Sequence, residues 1–63
     1  MSKENRDLAK VAQKHLKQAK ENSKEAQKIF KIINDPDGEK IAGNVARQAE
    51  DAEGYVSKKL GGD

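Results

Sequence analysis

One histidine, a cluster of acids, an acidic turn and a row of lysines are the residues in this sequence whose types and spacing bear on chemistry. His15 is the only histidine, and there is no cysteine. A histidine that works as a general base needs a nucleophile or an orienting acid within hydrogen-bond reach. At helical spacing its neighbours are Val11, Ala12, Gln18 and Ala19, and none fills either role. As a metal ligand it lacks a second histidine or a thiolate. His15 therefore reads as a packing residue.

Glu50, Asp51 and Glu53 form the densest acidic cluster. Carboxylate catalysis needs a cleft that desolvates one acid of a pair, and a short helical chain has little room for one. These acids are expected to line a solvated face or to pair with basic residues. The stretch Asp35-Pro36-Asp37-Gly38 has the acids and the glycine of a calcium loop. Setting Gly38 at that loop's glycine position puts Ile33 at the first ligand position and Asn44 at the last, where oxygen-rich acids belong. Helix capping accounts for these acids instead. No catalytic residue, no metal site and no cofactor is expected, and the chain is read as a non-enzyme.

The lysines are more regular. Lys3, Lys10, Lys17, Lys24 and Lys31 recur every seventh residue, a row about 42 Å long at helical rise. Such a row suits an anionic surface. The companions of nucleic-acid binding are scarce, since this segment holds one arginine, Arg6, and no aromatic beside the lysines to stack on bases. A membrane surface would call for bulky apolar residues opposite the lysines, and that side is mostly alanine.

The elements that carry these residues follow from size and pattern. The chain has 63 residues, 38% of them charged and 33% hydrophobic. Eight of the apolar residues are alanine, leaving thirteen larger ones. A domain this small is marginal by itself. No stretch approaches the roughly 18 apolar residues of a membrane span, and the N-terminal residues lack the apolar run of a signal peptide. A cytoplasmic location is the default expectation. Charge is uneven: residues 1–34 hold nine Lys or Arg against four Asp or Glu, a net +5. Residues 35–63 hold four against seven, a net −3. A basic half and an acidic half suit pairing within the chain or between copies.

Asn34-Asp35-Pro36-Asp37-Gly38 punctuates the chain once. Asp35, before proline, is biased out of the helical region. Asp35 or Asp37 suits a cap, and Pro36 suits a first helical position. This predicts one hairpin domain over 1–63: a helix over about 3–34, a turn at 34–38 and a helix over about 37–60, stopped by Gly61-Gly62. The repeat VAQKHLK, QAKENSK, EAQKIFK sets a heptad in the first segment. Ala12, Ala19, Ala26 and Ile33 fall on one seam column, with Leu8, His15, Asn22 and Ile29 on the other. In the second segment Ala42, Ala49 and Val56 align with Val45 and Ala52, and Ile41, Ala46 and Leu60 widen the stripe.

The fold expected is all-α: an antiparallel, coiled-coil-like hairpin with an alanine-rich seam. Its best core is expected beside the turn, from Ile29, Phe30, Ile33, Ile41 and Val45. Asn22 at a seam position is read as a register-setting residue. Leu8 and Val11 overhang the shorter second helix, and Leu16, Phe30 and Ile32 add apolar surface that a lone hairpin cannot fully cover, so dimerisation to a four-helix bundle is expected. Such a doubled hairpin resembles the Rop-type plasmid regulators in architecture. That likeness names no residue and implies only that nucleic acid be weighed.

The leading expectation is a non-enzymatic module that forms a homodimer and presents a helical face to a protein partner. A nucleic-acid-binding regulator using the lysine row is the alternative. A hydrophilic, partly ordered stress-type chain is a third reading, opposed by the clean heptads.

Overall fold

The computed structural model describes residues 2–61. Two helices account for nearly all of them: α1, Lys3–Ile32, and α2, Pro36–Gly61. They pack side by side along their length and run antiparallel, giving a rod of 47 × 15 × 11 Å between Cα extremes. Both helices lie close to the expected spans. Of the expected Gly61-Gly62 stop, Gly61 closes α2 and Gly62 lies outside the described residues.

Helix α1 has no glycine or proline to interrupt it. Ser2 caps it, its hydroxyl accepting from the Asn5 N–H at 3.1 Å. The turn is tighter than the 34–38 expected from sequence. Asn34 takes φ 60, the left-handed conformation that asparagine tolerates better than most residues. The Asn34 N–H then donates to the Lys31 carbonyl at 3.2 Å and the Asp35 N–H to the Phe30 carbonyl at 2.9 Å. This is a Schellman closure with asparagine in the place glycine usually takes.

Asp35 also opens α2. Its carboxylate accepts from the Gly38 N–H at 3.1 Å, and its carbonyl accepts from Glu39 N–H at 3.0 Å. Of the two acids that sequence offers as caps, Asp35 does the capping, with Pro36 at the first helical position.

On α1 the seam corrects the expected register by one residue, whereas on α2 the expected column Ala42, Ala49 and Val56 lies in the seam and only the Val45 and Ala52 column gives way to its neighbours. The seam's only buried residues among the described ones are Ala42, Ala46 and Ala49, and α1 contributes none. The least exposed positions of α1 recur at heptad spacing: Ala9, Leu16, Ser23 and Phe30, with Arg6, Gln13, Lys20 and Gln27 beside them. On α2 they are Ala42, Ala49 and Val56, with Glu39, Ala46, Glu53 and Leu60.

Leu16, Ala26, Phe30, Ala49, Ala52 and Val56 thus lie in or beside the seam. Leu8, Val11, Ala12, His15, Ala19, Asn22, Ile29, Ile33, Ile41 and Val45 are exposed. The expected turn-end core of Ile29, Ile33, Ile41 and Val45 is not what joins the helices.

The physical cause lies at the turn. Gly38 presses against the Phe30 ring so closely that a Cβ there would lie 2.5 Å from Phe30 Cδ1. One turn along, a Cβ on Gly43 would lie 2.6 Å from Gln27 Nε2. The glycines and alanines of α2 receive Phe30 and Gln27, which turns Ile29 and Ile33 about 100° away from the seam.

Candidate docking face

Each candidate group has a definite place in this frame. The polar column of α1 reaches α2 at two points across the seam. Gln13 Nε2 donates to Ser57 Oγ at 2.6 Å. Lys20 Nζ lies 3.2 Å from Glu53 Oε2, with both side chains mostly covered. That carboxylate oxygen is buried and has no aligned hydrogen-bond donor, so the adjacent ammonium is what offsets its desolvation. Glu53 is therefore drawn into the seam while Glu50 and Asp51 remain exposed. The acidic cluster does not converge on one point. No group of three or more His, Cys, Asp or Glu side chains is placed to hold a metal among the described residues.

His15 stands alone on the outer surface of α1, at the centre of the most unusual feature of the molecule. Stepping back one residue from each seam column turns about 100° round the helix. On α1 this gives the columns Leu8, His15, Asn22, Ile29 and Asn5, Ala12, Ala19, Ala26, Ile33. On α2 it gives Ile41, Gln48, Tyr55 and Val45, Ala52, Lys59. Antiparallel right-handed helices carry the same backward step to the same side of their common plane. All four columns therefore form one broad face of the hairpin. In a chain with 38% charged residues, that face carries a single formal charge, Lys59.

It also carries the large apolar residues that the seam leaves out. Leu8 is 67% exposed, Ile29 57%, Ile33 61% and Ile41 64%, with Val11 and Ile32 on its rim also exposed. Tyr55 is exposed too, its ring 5.8 Å from Lys59 Nζ, a cation–π contact at the open end of the hairpin. Asn22 Oδ1 accepts from Gln18 Nε2 at 3.0 Å, which leaves the Asn22 amide nitrogen to donate outward.

The lysine row falls on the opposite broad face. Lys3, Lys10, Lys17, Lys24 and Lys31 are all exposed, one step on the other side of the seam columns. Sequence places this row farthest from the seam; the register places it beside the seam, on the side away from the apolar face. The seam's second column escapes sequence reading because Arg6, Gln13, Lys20 and Gln27 are polar. Their seven-residue spacing was the available signal.

No helix among the described residues is long and apolar enough to cross a membrane. No family model matches the chain, and no curated protein or solved structure matches it.

Proposed function

We propose that this chain is a non-enzymatic interaction module that self-associates through its charge-poor apolar face and presents its outer helical face to a protein partner. The observation that carries the reading is the inversion of polarity. The seam within the hairpin buries only alanines and admits glutamines and an ion pair beside Leu16, Phe30, Val56 and Leu60, while Leu8, Ile29, Ile33 and Ile41 point outward together. A contiguous face of this kind is the usual mark of an interaction site. Doubling the hairpin buries it in a four-helix bundle.

Size supports a dimer. The face spans 47 by 15 Å between Cα extremes, about 700 Å² against the roughly 800 Å² per partner of a standard interface. Sedimentation equilibrium tests the reading. The expected result is a dimer mass for the native chain and a monomer for Ile29→Lys/Ile41→Lys. Both of those residues are exposed in the hairpin, so the variant keeps its helicity. A native chain that stays a well-folded monomer up to about 1 mM, where association energies fall near 4 kcal/mol, overturns it.

The lysine row favours a second reading, in which the outer face meets nucleic acid. Self-association through the apolar face leaves that row uncovered on both outer sides. A gel-shift titration at low and moderate salt checks it: binding that collapses as salt rises supports phosphate contact, and no binding at low salt removes it.

A further inference from the structure

The exposed column of α1 reads the same in polarity from either end. Leu8, His15, Asn22 and Ile29 run apolar, polar, polar, apolar at intervals of seven. Leu8 and Ile29 share a midpoint with His15 and Asn22, between Gln18 and Ala19. We propose that the second copy sits on this face about a two-fold axis that lies in the interface, crosses the helix axes at right angles and passes level with that midpoint, with α1 antiparallel to α1 of the partner. The proposal rests on the self-association reading above and adds its register.

An isologous interface requires that a surface complement itself, so that residue i meets j and j meets i. About this axis Leu8 meets the partner's Ile29, and His15 meets the partner's Asn22, twice each. The chemistry of the polar pair fits. The His15 side chain makes no hydrogen bond within the described residues, and the Asn22 side chain has Oδ1 engaged by Gln18 and its amide nitrogen free. A neutral imidazole nitrogen accepts from that amide. Polar groups set inside an apolar interface cost stability when unpaired and so select the register that pairs them.

Helix α2 obeys the same axis. Gln13 meets Ser57 and Lys20 meets Glu53 across the seam, so the α1 midpoint stands level with residues 51–54. Gln48 and Tyr55, both exposed on this face, are centred between Asp51 and Ala52. The axis therefore brings Gln48 opposite the partner's Tyr55. The alternation of size agrees, because the bulky turn end of one copy overlies the slimmer open end of the other. The basic character of α1 does not oppose the arrangement, since its lysine row lies on the opposite broad face and points away from the partner.

The test uses the absence of cysteine. Spin labels on Leu8→Cys and, in a separate sample, on Ile29→Cys are expected to give the same interlabel distance within the dimer. At helical rise that distance is about 32 Å in each case. Mixing the two unlabelled variants under mild oxidation is expected to give a disulfide between them, with neither variant cross-linking to itself. Short distances at both sites, or self-cross-linking of Leu8→Cys, place the helices parallel and overturn the axis. A dimer that shows equal distances of this length but no mixed disulfide lacks the contact between Leu8 and the partner's Ile29, and overturns it as well. A monomer in sedimentation removes the self-association reading itself, whereas a dimer with any other pattern leaves that reading standing and removes only this register.

Discussion

Phe30 and Gly38 are in contact across the turn, the ring edge lying where a side chain on Gly38 would begin. This contact fixes the rotation of α1 about its axis, and with it which side of the helix faces α2. Replacing Gly38 with alanine forces the ring to move, since the new carbon would lie 2.5 Å from Phe30 Cδ1. Overpacking of this kind costs about 1–3 kcal/mol. Gly54 is the internal control, because nothing lies within 4 Å of a Cβ built there. Gly54→Ala is expected to raise stability by up to about 1 kcal/mol through helix propensity alone. Thermal unfolding followed by circular dichroism should move in opposite directions for the two variants; equal shifts would show that Phe30 does not key the turn.

The turn backbone gives a second prediction. Asn34 holds φ 60, a conformation that costs an ordinary L-residue roughly 1–2 kcal/mol. Asn34→Gly should leave stability unchanged or raise it slightly, and Asn34→Val should lower it by that amount. Asp35→Ala removes the oxygen that accepts from the Gly38 N–H and is expected to cost about 1 kcal/mol. Urea unfolding midpoints at constant slope check all three.

Lys20 and Glu53 form the charged centre of the seam. Truncating Lys20 to alanine leaves the Glu53 oxygen covered and uncompensated, at a cost of about 1–3 kcal/mol. Changing both residues to methionine fills the same space without a charge and is expected to be neutral or stabilising. A double-mutant cycle measures the coupling. If Lys20→Ala proves harmless, water reaches the Glu53 oxygen and the pair is only a surface contact.

Part of this architecture is legible in the residues themselves. The turn at 34–38 declares two helices, and the heptad of VAQKHLK, QAKENSK, EAQKIFK gives α1 its period. What the pattern cannot supply is the rotation of that period. Counting apolar residues selects Leu8, Ile29, Ile33 and Ile41 as the seam, whereas close approach of the backbones is set by where Ala42, Ala46, Ala49 and the two glycines Gly38 and Gly43 lie. The polar residues Gln13, Lys20 and Gln27 are admitted to the seam because their long side chains reach Ser57 and Glu53 across it or lie over Gly43. Leu8, Ile29, Ile33 and Ile41 are then left together on one outer face. The columns chosen by apolar counting on α1 are the ones that form this face.

The same competition yields a prediction about His15 and Asn22. Both stand in the middle of a face otherwise lined by alanine and larger apolar residues. If they pair across a two-fold axis, replacing both with leucine removes two polar groups per chain from the interface and adds apolar area. Burying each leucine returns about 1.5–3 kcal/mol, so the double variant should associate more tightly than the native chain. It should also lose the feature that distinguishes one alignment from another, because a leucine column slides by a heptad at little cost. The expected outcome is a tighter complex with a broadened distance distribution between labels at position 8, or one that grows beyond a dimer. The single variants behave differently from the double one. Each strands the partner's polar group, so His15→Leu and Asn22→Leu should bind less tightly than the double change would imply. Sedimentation across a concentration series reads the difference, and strict additivity of the two single changes would show that these residues do not meet.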